Sequence, residues 1–182
     1  MFTHLLVPLD GTSQSAAVLP LVRMLAAAAG ARITLVRVAP DWPDSPHGDG
    51  DFARTTLART AAGLRRAGLR AEATIRRVLR GDQVAAAILG EARGRKADLI
   101  VMATHVRTGV ARIARASVAD QVLRLSPLPV LLLGPDEAGV ARFDTILLPT
   151  DGTRPGDVAL RPVVDLARLF GAEVVVLRVV LP

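Results

Sequence analysis

Short apolar runs and segments of helical periodicity alternate along most of the chain. The apolar runs are typical of buried strands, and they cover residues 5–9, 32–38, 71–79, 97–102 and 129–133. Between them, apolar residues recur every three or four positions, which predicts helices over 14–29, 53–67 and 81–95 and a further helix from Ser117. Strand and helix alternate five times, so the pattern predicts an α/β fold: a doubly wound, mostly parallel five-stranded sheet in a three-layer α/β/α arrangement.

Two polar breaks in this pattern lie where a ligand would be expected. Asp10-Gly11-Thr12 follows the first strand as a turn, and residues 103–116 form a loop after the fourth strand. Ser117 ends that loop and has Asp120 three positions later, the spacing of a capping box. Ligands of open α/β sheets bind at the carboxyl ends of strands, near the point where strand order reverses. We therefore expect any binding site between the first turn and the fourth loop.

The end of the chain repeats its beginning. Residues 2–12 read FTHLLVPLDGT and residues 143–153 read FDTILLPTDGT, and residue 30 aligns with residue 171 at the same offset. The second copy covers one strand, one helix and one strand. We predict a domain over 1–134, a linker over 135–142 and a partial second β-α-β domain over 143–182. Three elements cannot cover both faces of a sheet, so we expect this tail to dock on its own first domain or on a second chain.

The amino-acid composition of the chain excludes several classes of function. The chain has no cysteine, which excludes disulfides, thiolate catalysis and cysteine zinc sites. The net charge of +6 rests on arginine, with Lys96 as the single lysine, and this bias resembles GC-rich codon usage. Aromatic residues are 3% of the chain, too few for a base-stacking surface. Nucleic acid is therefore not a predicted partner. No apolar run is long enough for a membrane span and residues 1–20 do not resemble a signal peptide, so the expected location is the cytoplasm.

Four segments together resemble the universal stress protein family. They are VPLDGT, GDQVAAAILGEA, ADLIVMATH and SVADQVLRLSPLPVLLL, spread over residues 2–134, and the tail resembles the start of a second such domain. The resemblance implies strand order 3-2-1-4-5, a role in stress response and homodimers often paired through the last strand, with protein partners unknown. Some members of the family bind ATP and others do not.

The ATP-binding members carry a Gly-x2-Gly-x9-Gly-Ser/Thr loop after the fourth strand. In this sequence the three glycines are replaced by Ala103, Val106 and Ala116, and only Ser117 keeps the pattern. A β-branched valine is poorly suited to the positive φ that phosphate loops use. By family position, the candidate nucleotide-binding residues are Pro8, Leu9, Asp10, Val38, Met102, Ala103, Val106, Ala116, Ser117 and Val118.

Two functions follow from this altered loop. The first is a dimerising interaction module of stress response that binds ATP weakly or not at all. The alternative is an ATP- or AMP-binding module that uses Ser117, at a helix N-terminus, with Arg107, Arg112 and Arg115. The first function requires no cofactor, and ATP is the candidate cofactor of the second function.

No enzyme or metal site is predicted. His105 has no nucleophile and orienting acid beside it in the sequence. His47 lies among Asp41, Asp44, Asp49 and Asp51, but their spacing matches no calcium or zinc loop. The sequence also lacks a Walker motif, so a P-loop ATPase is not supported.

Overall fold

The computed structural model describes residues 1–40, 49–79, 83–104, 117–134, 142–151, 153 and 156–178. The first part of the chain contains β1 (His4–Pro8), α1 (Ser13–Ala16), α2 (Leu19–Ala29), β2 (Arg32–Pro40), α3 (Asp49–Arg66), β3 (Arg70–Val78), α4 (Val84–Gly94), β4 (Leu99–Ala103), α5 (Val118–Leu125) and β5 (Val130–Leu133). The last part contains β6 (Thr145–Thr150), a 3₁₀ turn (Gly156–Ala159), α6 (Leu160–Phe170) and β7 (Glu173–Arg178).

The first five strands form one parallel sheet in the order β3-β2-β1-β4-β5, which confirms the predicted fold class. All five residues of β4 are buried, as expected for a central strand covered on both faces. One core cluster lies between the sheet and helices α2 and α3. A second cluster on the opposite face packs under α4 and α5.

The helix predicted over residues 14–29 is wrong in one respect, because the structure divides it into α1 and α2. Pro20 occupies the second position of α2, where its missing N–H leaves no bond to the preceding turn. Thr12 caps α1, and its Oγ accepts a hydrogen bond from the Ser15 N–H at 3.1 Å. The proline therefore starts a second helix rather than continuing the first. Other bounds also move by a few residues: α3 begins at Asp49, α4 at Val84 and β4 at Leu99.

The last part of the chain forms a separate two-stranded parallel sheet, β6-β7. Its register matches that of β1 and β2. His4 pairs with Arg32, and the residues that the repeat aligns with them, Thr145 and Glu173, also pair. Helices α2 and α6 have equivalent bounds, and each ends at a left-handed glycine, Gly30 (φ 61°) and Gly171 (φ 67°). The repeated sequence thus adopts the same local structure twice. The division of the chain into domains at 134 and 143 stays a prediction.

Helix α6 packs against the first part of the chain. Leu166, Leu169 and Phe170 contact the core cluster that lies under α2. The rings of Phe143 and Phe170 lie 5.4 Å apart, and the amino group of Met1 pairs with Asp165 at 2.6 Å. The tail therefore contacts its own first domain, which is one of the two expected docking modes. In the part of the chain that the structure describes, no helix has the length and apolar character needed to cross a membrane.

Candidate functional site

A cavity of about 260 Å³ opens at the carboxyl ends of β1 and β4. These two strands are neighbours in the sheet, but the chain leaves them toward opposite sides, to β2 and to β5. This is the reversal of strand order at which open α/β sheets form a crevice. The cavity is lined by Pro8, Leu9, Asp10, Ser15, Val36, Val38, Ile88, Met102, Ala103, Ser117, Val118 and Ala119.

Most of the cavity wall is apolar. Val36 lies on β2, Met102 on β4 and Ile88 on α4, and all three are buried in the second core cluster. Alternate residues of a strand face the same side, so Val38 continues the wall that Val36 begins. A wall of this kind suits a flat, largely apolar group such as a heteroaromatic ring.

Asp10 is fixed at the edge of the cavity by an Asx turn. Its Oδ1 accepts hydrogen bonds from the N–H of Thr12 at 2.9 Å and from the Thr12 hydroxyl at 2.6 Å. Arg37 donates to the Asp10 carbonyl at 2.7 Å. Gly11 has φ +85°, and a Cβ there would lie 2.0 Å from the Arg37 guanidinium. The positive φ therefore favours glycine at position 11, and a larger side chain would also displace the Arg37 guanidinium.

Ser117 and Asp120 form the predicted capping box at the start of α5. The Ser117 Oγ accepts from the Asp120 N–H at 3.0 Å. The Ser117 N–H and hydroxyl both donate to Asp120 Oδ2, at 3.0 and 2.8 Å. The Ser117 hydroxyl and N–H, followed by nearby Arg124, lower the pKa of the Asp120 carboxyl from its usual value. A carboxylate therefore occupies the donors of Ser117 beside the cavity.

The structure brings together eight of the ten predicted site residues. Pro8, Leu9, Asp10, Val38, Met102, Ala103, Ser117 and Val118 all line the cavity. Val106 and Ala116 lie outside the described residues, as do Arg107, Arg112 and Arg115. Nucleotide binding by these residues stays a prediction.

Four lining residues were missed by the sequence reasoning: Ser15, Val36, Ile88 and Ala119. Val36 could have been found, because it lies two positions before Val38 on the same strand face. Ala119 follows Ser117 and Val118 directly. Ser15 and Ile88 belong to ordinary helix patterns, and the sequence contains no signal that marks them for a site.

Among the residues that the structure describes, no three His, Asp or Glu side chains form a group suited to a metal ion. The loop with His47, Asp41 and Asp44 lies outside the described residues, as does His105.

The sequence profile of the universal stress protein family matches residues 1–134. The chain therefore belongs to the universal stress protein family. A search of the curated proteins found no match.

Solved structures give the same fold. A universal stress protein in complex with cAMP is 21% identical, with a TM-score of 0.59 over 74% of this chain and 98% of that chain. A protein of this family from Burkholderia pseudomallei is 30% identical, with a TM-score of 0.56 over 72% and 96%. A longer universal stress protein from Archaeoglobus fulgidus is 21% identical, with a TM-score of 0.78 over 95% of this chain and 64% of that chain.

Proposed function

We propose that this universal stress protein is a dimerising stress-response module that binds ATP weakly or not at all. The capping box at α5 is the observation that supports the proposal most directly. Both donors of Ser117 are directed to Asp120, so a phosphate at this helix start would have to displace a carboxylate. It would also meet the negative charge of that carboxylate at short range. Helix N-termini bind anions through N–H groups, and at this one Asp120 already accepts the N–H and the hydroxyl of Ser117.

The substitutions in the loop support the same proposal. Ala103 ends β4 as a buried residue in extended structure, and Val106 and Ala116 stand at the other two glycine positions of the family loop. Alanine and valine avoid positive φ, and their side chains keep backbone N–H groups away from phosphate oxygens. The proposal includes no catalytic turnover, in line with the general character of the family.

The cavity itself favours a second candidate function, the weak binding of an adenine mononucleotide. Its apolar wall offers a slot for a base, and a relative with the same fold was solved in complex with cAMP. A mononucleotide has fewer charges to place near Asp120 than a triphosphate has. This candidate uses the cavity and needs no phosphate loop.

Isothermal titration of the full chain with Mg-ATP, AMP and cAMP distinguishes these functions. We expect no measurable heat with micromolar Mg-ATP. Asp120→Asn should raise the affinity for AMP by roughly tenfold, because it removes one charge near the phosphate. Glu173→Gln is the matched control, since Glu173 is an exposed acid on β7, and it should change nothing. A micromolar dissociation constant for Mg-ATP with the unchanged protein would contradict the proposal.

The dimer part of the proposal rests on β5. This strand pairs with β4 on one side, and no other described strand pairs with its outer edge. Helix α5 packs beside it and exposes Leu123 and Leu125. An unpaired apolar edge is a surface that a second copy can cover.

Sedimentation of two leucine variants tests this interface. Leu125→Glu should convert dimer to monomer, because it places a charge in the covered surface. Leu79→Glu is the control, since Leu79 is also exposed but follows β3 at the far edge of the sheet. If the protein without substitutions is a monomer, or if the two variants have equal effects, dimerisation through this edge is contradicted.

A further inference from the structure

The positive charge of the molecule is concentrated on α3 and β3. Residues 49–78, which include α3 and β3, contain seven arginines against three acids, Asp49, Asp51 and Glu72, a net charge of +4 out of the +6 of the whole chain. All seven side chains are exposed, but Arg76 pairs with Glu91 of α4, on the sheet face opposite α3; we call the other six the α3–β3 basic surface: Arg54, Arg59, Arg65, Arg66, Arg70 and Arg77.

Local acids leave most of this charge uncompensated. Glu72 accepts a hydrogen bond from Thr34 and pairs with Arg95, which lies outside the surface. Buried Glu91 pairs with Arg76 and also with Arg95. Among the carboxylates that the structure describes, none pairs with Arg59 or Arg66.

Other contacts of the surface fix arginines without neutralising them. Arg65 donates to the carbonyl of Ala71 at 2.8 Å, and Arg70 donates to the carbonyl of Gly30. A carbonyl carries no net charge, so both guanidinium groups keep their full charge while their positions are restricted. Asp49 and Asp51 lie in the first turn of α3, at least two helical turns before Arg59.

The spacing of the arginines suits the backbone of a double helix. Arg59 and Arg66 are seven residues apart on α3, which places them on one face about 10.5 Å apart along the axis. That distance is close to the roughly 12 Å width of the DNA major groove, so the two groups can reach phosphates on both sides. The planar guanidinium also forms paired hydrogen bonds with phosphate oxygens.

Two other polyanionic partners fit this surface less well. Four apolar residues of α3, Ala53, Leu57, Ala61 and Leu64, are buried in the core, and Phe52 is the one large apolar residue of the helix that is exposed. The helix therefore has no free apolar face to insert into a lipid surface. Phe52 is the one exposed aromatic residue described in this region, and single-strand binders use several.

We propose that the α3–β3 basic surface binds the phosphate backbone of double-stranded nucleic acid without sequence preference. The scarcity of aromatic residues and the codon-like arginine bias argued against nucleic acid, but a duplex bound through its phosphates needs no aromatic stacking. The surface lies away from the cavity, at the β3 edge of the sheet, and no residue of it lines the cavity. Binding of a duplex to this surface is therefore independent of whether the cavity binds a nucleotide.

Fluorescence anisotropy with two unrelated DNA duplexes tests the proposal on the full chain. We expect micromolar binding of both duplexes at about 50 mM salt. Binding should weaken by roughly 10- to 100-fold at about 200 mM salt, as two to four phosphate contacts predict. Absence of binding at low salt, or strong preference for one sequence, would overturn the proposal.

A pair of double variants separates this surface from general charge. Arg59→Glu with Arg66→Glu should weaken binding at least tenfold. Arg161→Glu with Arg168→Glu changes the net charge equally, on exposed arginines with the same spacing in α6, and should have less than a twofold effect. Equal losses would overturn the proposal. Binding to phosphatidylserine vesicles that depends on Arg59 and Arg66, without duplex binding, would also overturn it and assign the surface to acidic membranes.

Discussion

The chain contains two β-α-β units of the same local design, residues 4–40 and 145–178, whose surroundings differ. In the first unit Leu6 and Val36 are 0% exposed. Their counterparts in the second unit, Leu147 and Leu177, are 57% and 46% exposed. Register, helix bounds and glycine caps are nevertheless equivalent in the two units.

This difference separates two contributions to the fold. Helix caps, turns and strand register arise within each unit, because the residues that make them lie close in sequence. Burial arises from the neighbours, and the first unit is flanked by β3 and β4 and covered by α3, α4 and α5. The second unit has α6 on one face, and the other face of β6-β7 exposes Leu147, Val175 and Leu177. Equivalent positions should therefore respond differently to mutation.

The largest difference is expected for a leucine at equivalent positions of β1 and β6. Leu6→Ala should lower the free energy of unfolding by about 2–5 kcal/mol, because it removes a fully buried side chain and leaves a cavity. Leu147→Ala should change it by less than about 0.5 kcal/mol. Urea denaturation of the two variants measures both values. Equal losses would show that the outer face of the second unit is buried in solution.

Removal of the second unit should have the next largest effect. A chain ending at Gly134 loses the half-buried contacts of Leu166, Leu169 and Phe170. We expect a loss of about 1–3 kcal/mol and a lower melting temperature, because these contacts bury part of three large apolar side chains. Calorimetry and sedimentation should be run on both chains. If melting temperature, solubility and oligomeric state are all unchanged, the tail contributes nothing to the fold or to an interface.

The helix caps should give equal local costs in the two units. A Cβ at Gly30 or Gly171 meets no atom within 4 Å, so alanine there is opposed only by the left-handed backbone. Each Gly→Ala change should cost about 1–2 kcal/mol. In a single cooperative transition both variants shift the melting temperature alike. A shift for Gly30→Ala alone would show that the second unit unfolds separately.

The smallest effect concerns the repeated Asp-Gly-Thr turn. Asp151 Oδ1 accepts from the N–H and hydroxyl of Thr153, at 2.8 and 2.7 Å, as Asp10 does from Thr12. The Thr153 hydroxyl, followed by its N–H, lowers the pKa of the Asp151 carboxyl. A lowered pKa in the folded state stabilises the fold above the ordinary aspartate pKa of about 3.9, and this contribution is lost as pH falls through the lowered value.

Carbon-detected NMR titration of Asp151 measures that shift. Thr153→Ala should move the pKa of Asp151 back toward its ordinary value, because it removes the hydroxyl donor. Thr153→Ser is the control that keeps the hydroxyl and should keep the lowered pKa. An ordinary pKa in the unchanged protein would contradict the local hydrogen bonding described for this turn.

The parts of the fold that were predictable depend on short-range patterns. Gly30 as a helix end, Ser117-Asp120 as a capping box and β4 as a buried strand each rest on a few neighbouring residues. The division between α1 and α2 was missed because apolar spacing continues across it, although Pro20 marks the start of α2. Proline is compatible with a first helical turn, and only the structure shows that the turn begins there.

The site residues that lie in turns and loops after strands could be predicted. Several residues of the apolar cavity wall were missed. Asp10 and Ser117 belong to turns that the sequence marks. Ile88 reaches the cavity from α4 through the packing of that helix on the sheet, and no local pattern encodes this. The arginines of α3 and β3 were counted from composition, but their common surface depends on β3 being the edge strand beside β2.

The shared strand register has a consequence for folding kinetics. Pairing of β1 with β2 and of β6 with β7 is local in sequence, whereas β4 must join β1 across residues 9–98. During refolding β4 meets two apolar strands of equivalent design, and the loop from β4 to β6 is the shorter one to close. Mispairing of β4 with β6 would give a trapped intermediate, a characteristic failure of repeated units. We therefore expect stopped-flow refolding of the full chain to show a slow phase that the chain ending at Gly134 lacks.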